Sequence, residues 1–193
     1  FSGIPKEIII ENGLIKLNVP TQRQPRSVVW KGTVDNGWDF AKTNFDVSGT
    51  PSAFVSKDTL LFDDSGAQKI ISLVETAFTS GITFNAATDY SIYGTGAISG
   101  AGDVVKLNSN KVTLSSGTNT YTGKTIINGG TLAVSTIGPS GEPSSLGSAD
   151  INPANLVVNN ATLVINDFCT TNRGMTLINN ATINIPASNS YAI

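Results

Sequence analysis

The chain contains no histidine. That absence removes the commonest general base near neutral pH, the Ser-His nucleophile arrangement and the commonest metal ligand. A single cysteine, Cys169, can form neither an internal disulfide nor a cysteine metal site, and reads as a small buried hydrophobe. Charge is scarce as well: 13% of the residues are charged, and 12 basic against 14 acidic side chains leave a net charge of -2. Soluble domains ordinarily carry roughly 25%. Without a Lys/Arg cluster, nucleic acid is not an expected partner. The longest apolar runs resemble III at Ile8 to Ile10, far short of the roughly 20 residues that span a bilayer, so no membrane span is expected. Residue 1 is Phe with no leader pattern behind it, which points to a mature protein or a fragment.

Gly, Ser, Thr and Asn fill the space that charge leaves, as in secreted β proteins. Val157 to Ile165 reads VVNNATLVI and Leu177 to Ile185 reads LINNATINI. Weaker copies are IINGGTLAV at Ile126 to Val134, KLNSNKVTL at Lys106 to Leu114 and IIENGLIKL at Ile9 to Leu17. Each is a strand, a tight bend and another strand, with Asn and Gly supplying the left-handed backbone that the bend needs. The period of two in Thr131-Leu132-Ala133-Val134 is that of a strand with one buried face.

From about Val104 the bends recur at roughly 19, 31 and 20 residues, and the longest step contains the Gly/Pro/Ser-rich loop Ile137 to Pro153. Short strands at such intervals, with no credible helix, predict an all-β chain folded as a right-handed parallel β-helix, a solenoid with an irregular N-terminal β cap region. Asn stacked at equivalent bends would form hydrogen-bonded ladders. An antiparallel β-sandwich is the alternative. The expected division is an N-terminal strand and cap segment over 1–29, a region with the first coils over 30–103, and regular repeats over 104–193.

The run TYTGKTIINGGTLAVS at Thr120 to Ser135, then SLGS at Ser145 to Ser148 and NLVVNNATLVI, resembles the autotransporter-associated strand repeat of exported bacterial β-helical proteins. Upstream, WKGTVDNGWDFAKTNF at Trp30 to Phe45 and DTLLFDDSG at Asp58 to Gly66 are similar to the segment that often precedes such repeats. The resemblance implies a stalk or scaffold in an autotransporter passenger or a large surface or secreted protein, some of which are joined to carbohydrate-active domains. It maps no catalytic residue onto this chain. No membrane barrel pattern follows the repeats, and INIPASNSYAI stops just after a repeat strand, so further coils or a covering partner are expected.

Side chains with chemical potential are few. Asp63 and Asp64, with Asp58 nearby, suit a calcium site less well than turn caps, since adjacent strand residues point opposite ways. Tyr93 and Tyr121, beside Gly-rich turns, together with Trp38, are the candidate platform for a polysaccharide or cell-surface glycan. For Trp30 and Trp38, packing in the cap or first coil is the competing account. A β-helical lyase would need a base such as Lys106, Lys111, Lys124 or Arg173 beside a carboxylate-neutralising group, and no acidic cluster accompanies them. The Asn-Ala-Thr sequons at Asn160 and Asn180 coincide with the repeat bends and read as turns.

These features lead to the expectation of a non-catalytic scaffold or binding module of a secreted or surface bacterial protein, without metal or cofactor. Neighbouring modules of a larger chain and a polysaccharide are its expected partners. A fragment of a polysaccharide lyase or hydrolase and a protein adhesin passenger are the alternatives, the latter favoured by a long exposed apolar strip.

Overall fold

The alternating segments stack on one another coil by coil. The computed structural model describes residues 7–12, 14–18, 24–167 and 170–186, and Cys169 lies outside the described residues. Strands β1 (Glu7–Glu11) and β2 (Leu14–Asn18) pair antiparallel around Asn12, whose φ of 53° suits a tight hairpin turn. This copy of the strand-bend-strand unit folds back on itself, whereas the other copies turn a corner between two sheets.

The first coil holds β3 (Ser27–Trp30) and β4 (Gly37–Trp38), followed by β5 (Phe45–Val47) and β6 (Thr50–Ser52). Next come β7 (Thr59–Asp63), β8 (Ile70–Leu73) and β9 (Ala77–Phe78), then β10 (Gly81–Asn85), β11 (Tyr90–Tyr93) and β12 (Ile98–Ser99). Later coils carry two strands each. They are β13 (Val104–Leu107) with β14 (Lys111–Leu114), and β15 (Thr125–Asn128) with β16 (Thr131–Val134). The last two are β17 (Leu156–Asn159) with β18 (Thr162–Ile165), and β19 (Thr176–Ile178) with β20 (Thr182–Asn184).

First strands stack parallel in the order β3-β7-β10-β13-β15-β17-β19, and second strands in the order β4-β8-β11-β14-β16-β18-β20. The chain is therefore a parallel β-helix, and the antiparallel sandwich is excluded. Its one helical segment among the described residues is a single 3-10 turn, Pro153–Asn155. A third face starts with β9 paired to β12 and continues through Thr120 N to Ile98 O at 2.8 Å and Ser148 N to Tyr121 O at 2.8 Å. Pairing of Ile82 with Val104 carries the ladder through residue 103.

The corners of the last four coils each place a residue in the left-handed region, Asn108 at φ 62°, Gly130 at 60°, Asn160 at 48° and Asn179 at 56°. Side chains at these corners form the expected ladder. Asn108 Nδ2 donates to Asn85 Oδ1 at 2.7 Å, Asn159 to Asn128 at 3.2 Å and Asn179 to Asn159 at 2.6 Å. On the third face the coils approach so closely that a Cβ at Gly123 would lie 2.2 Å from Gly102 O.

In-register pairing lines the core with columns. Phe62, Phe84, Lys106, Ile127 and Val158 face one another in successive coils, with Phe62 and Phe84 stacked at 4.8 Å. The long step between β15 and β17 leaves the register intact, because Ile126 still pairs with Val157 and the extra residues loop out between β16 and β17.

An antiparallel hairpin closes the first edge. Strand β5 pairs antiparallel with β3, and β6 with β5, around Ser48 at φ 52° and Gly49 at φ 88°. Beneath it Trp30, Trp38, Phe45 and Phe54 pack edge to face, with Trp30 and Phe45 5.1 Å apart. Buried Asn44 holds the loop above them: its Oδ1 accepts from Val34 N at 2.9 Å and Asp35 N at 3.2 Å, and its Nδ2 donates to Asp35 Oδ1 and Gly37 O, both at 2.8 Å.

Candidate functional site

The three aromatic residues proposed from sequence occupy three different settings. Trp38 is 1% exposed and belongs to the aromatic cap, so its ring offers no face to a sugar. Tyr121 is fully buried on the third face, where its hydroxyl bonds Thr125 Oγ1 at 2.7 Å and Gly147 presses on its ring. Burial pushes this phenol up to about 12, with the Thr125 hydrogen bond and the charge of Arg173 opposing. Tyr93 alone is open, at 39%, on the outer side of β11, with Asn36 Nδ2 donating to its hydroxyl at 3.3 Å. The rings share no common surface.

The acidic residues act as caps and ties. Asp64 accepts from Ala87 N at 3.0 Å and Thr88 N at 3.1 Å in the next coil, bonds that hold its carboxyl below the ordinary range. Asp63 caps Ser65 N at 2.9 Å. Buried Asp58 accepts from Val55 N at 2.9 Å and pairs with Arg26 Nη2 at 2.6 Å, an arrangement that raises the guanidinium above its usual value. Among the described residues no group of three or more acidic, Cys or His side chains is placed to hold a metal ion.

Two of the bases named from sequence are bound into the frame. Lys106 is 1% exposed, its stem filling the core column between Phe84 and Ile127. Its Nζ reaches the corner and donates to Asn110 Oδ1 at 2.8 Å, Leu107 O and Asn108 O at 2.9 Å, and Gly129 O of the next coil at 3.1 Å. Burial pushes this ammonium down to about 8, with the charge of Asp89 opposing. Arg173 clasps the inserted loop, donating to Gly138 O at 2.9 Å, Glu142 O at 3.0 Å and Gly147 O at 2.7 Å. Both are structural cations. The sequon residues lie at corners, Asn160 itself left-handed, whereas in the last coil Asn179 rather than Asn180 takes that conformation.

Two surface features escaped the sequence reading. One is an outward column on the first sheet, where Val29, Leu61, Thr83, Val105, Ile126 and Val157 stand in register, each half-buried. Six strands about 4.8 Å apart make this mostly apolar strip about 24 Å long. The other is a groove of about 330 Å³ on the third face, beside the exposed ring of Phe78.

A parallel solenoid of short coils with cross-coil Asn ladders and a capped first edge defines the class: a β-helical protein. The family model for the passenger-associated-transport-repeat matches residues 104–134, the stretch from β13 to β16 that includes Lys106 and the corners at Asn108 and Gly130. Neither a curated protein nor a solved structure shows significant similarity to the chain.

Proposed function

We propose that the chain is a non-catalytic scaffold module of a secreted or cell-surface bacterial protein, holding neighbouring modules or a binding face away from the cell. The observation that carries this reading is the unbroken parallel register from β3 to β19, which includes the matched passenger repeat. A solenoid of this kind extends by adding coils, each supported by its neighbour. Lys106 and Arg173, on which proton abstraction by a lyase would draw, donate instead to backbone and amide oxygens of a corner and a loop.

The test is made on cells that express the parent protein. Added protease should remove this module from intact cells, or fractionation should recover it in the medium. Recovery from the cytoplasm alone sinks the reading. Incubation with pectate and alginate should release no ultraviolet-absorbing unsaturated uronates, and their appearance would transfer the chain to the lyases. The adhesin reading is favoured by the strip along Val29, Leu61, Val105, Ile126 and Val157, whose length and polar borders suit a protein partner.

A further inference from the structure

The two Asn-Ala-Thr sequons occupy equivalent corners of the last two coils, since Thr162 pairs in register with Thr182. Left-handed backbone accounts for only one of their asparagines. Asn160 takes φ 48°, whereas in the last coil Asn179 takes φ 56° and Asn180 lies outside that region. The amide ladder accounts for neither, because it runs through the preceding asparagine of each pair: Asn159 donates to Asn128 at 3.2 Å, and Asn179 to Asn159 at 2.6 Å. Asn160 and Asn180 are both exposed, and among the described residues their side chains have no hydrogen-bond partner.

Strand parity brings the hydroxyls to the same side. Ala161 and Ala181 pack against the core, so the residues flanking each alanine turn outward, the asparagine at the corner and the threonine at the first position of β18 or β20. Thr162 is half-buried and Thr182 exposed, and neither hydroxyl is engaged among the described residues. Each corner therefore offers solvent a free carboxamide and, two residues on, a free hydroxyl, the pair that a sequon-reading glycosyltransferase recognises. We propose that Asn160 and Asn180 are N-glycosylation sites, each accepting a sugar on Nδ2. In the transfer, Nδ2 attacks the anomeric carbon of a sugar held as a diphosphate ester. The N–C bond forms as the C–O bond to the diphosphate breaks, the amide proton passes to a base of the transferase, and the diphosphate leaves. Acceptors on adjacent strands stand about 4.8 Å apart, a spacing that favours a single sugar or a short linear chain on each over a branched one. The sites go beyond the scaffold reading, which stands whether or not the asparagines are modified.

Peptide mass mapping of the parent protein, purified from the cells that make it, tests the sites. Lys124 and Arg173 are the nearest basic residues before them, so trypsin delivers the two acceptors on separate peptides. Both peptides should carry the added mass of at least one sugar residue, and fragmentation should place it on the asparagine. Asn180→Gln should lose the addition from its own peptide alone, with an unchanged melting temperature because Asn179 keeps the ladder. Thr182→Val should lose it too and Thr182→Ser should keep it, a dependence that a corner with only a structural role would not show. The proposal is overturned if both parent peptides have their unmodified mass, if the sugar is found on a threonine, or if Thr182→Val leaves Asn180 modified.

Discussion

Lys106 and Gly129, in consecutive coils, are joined by a hydrogen bond of 3.1 Å from ammonium to carbonyl. The lysine stem replaces an apolar core residue while its charged end ties the corner of its own coil to the next. A cation held this way titrates with a definite sign. The folded group sits at about 8 and the exposed group at 10.5, so between those values the unfolded chain binds more protons and stability rises with pH. Lys106→Met should abolish that rise. At neutral pH it should also cost about 2 kcal/mol by leaving the corner oxygens without a donor, as read from urea unfolding at a series of pH values.

Tyr121 produces the opposite slope at higher pH. Its phenol is raised from 10.0 to about 12, so its contribution is complete below 10 and is lost as the pH climbs through 12. The parent should therefore reach maximal alkaline stability near pH 10, between the Lys106 rise and the Tyr121 fall. Tyr121→Phe should lose about 1 kcal/mol at neutral pH with the Thr125 bond and should fall less steeply above pH 10.

Gly147 fits no other residue. Its φ is 69°, and an added Cβ would lie 2.3 Å from Tyr121 O. Gly147→Ala combines backbone strain with a collision against the buried ring and should cost about 3 kcal/mol. A melting temperature within error of the parent would show that the loop relocates freely.

Asn44→Ala should open the cap. The change leaves the Val34 and Asp35 amides and Gly37 O without their side-chain partner, at a cost of about 2 to 4 kcal/mol. Amide exchange should accelerate over residues 31–38 while β14 to β18 stay protected. Uniform acceleration would mean that the cap and the solenoid unfold as one unit.

The solenoid was readable because its information is periodic. Thr131 to Val134 and Thr162 to Ile165 alternate with the strand period, and the Asn and Gly between sheets mark the corners. The cap hairpin was signalled only by Ser48-Gly49, a two-residue turn between Phe45–Val47 and Thr50–Ser52 whose left-handed φ values appear once it is built, since neither flank alternates in the manner of the repeats. Surface chemistry was far less readable, and the reason is parity. Along Ala77-Phe78 the larger apolar residue would be expected inside, but pairing with Ile98 and Ser99 shifts the strand by one and sends the ring outward. Tyr121 went the other way, because the third face has no strand period there and only the close approach of Gly147 shows that the phenol is enclosed. Lys106 looked like an available base since a charged letter in VVKLN marks no particular face, and only the column with Phe84 and Ile127 shows it to be interior.

Between Ile137 and Leu146, both buried, the exposed bend at Pro139 and Gly141 to Pro143 bulges outward, clasped by Arg173 and tied through Ser140 N to Asn172 Oδ1 at 2.8 Å, while Ile126 and Val157 remain paired. Circumference and pitch are thus separate variables in this molecule: a coil can bulge sideways without disturbing the stacking of its neighbours. Lengthening such a bulge costs only a logarithmic increment of closure entropy. The wall consequently behaves as a rack with interchangeable brackets, and guest segments spliced between Pro139 and Pro143 should hang from it while the strands above and below stay in place.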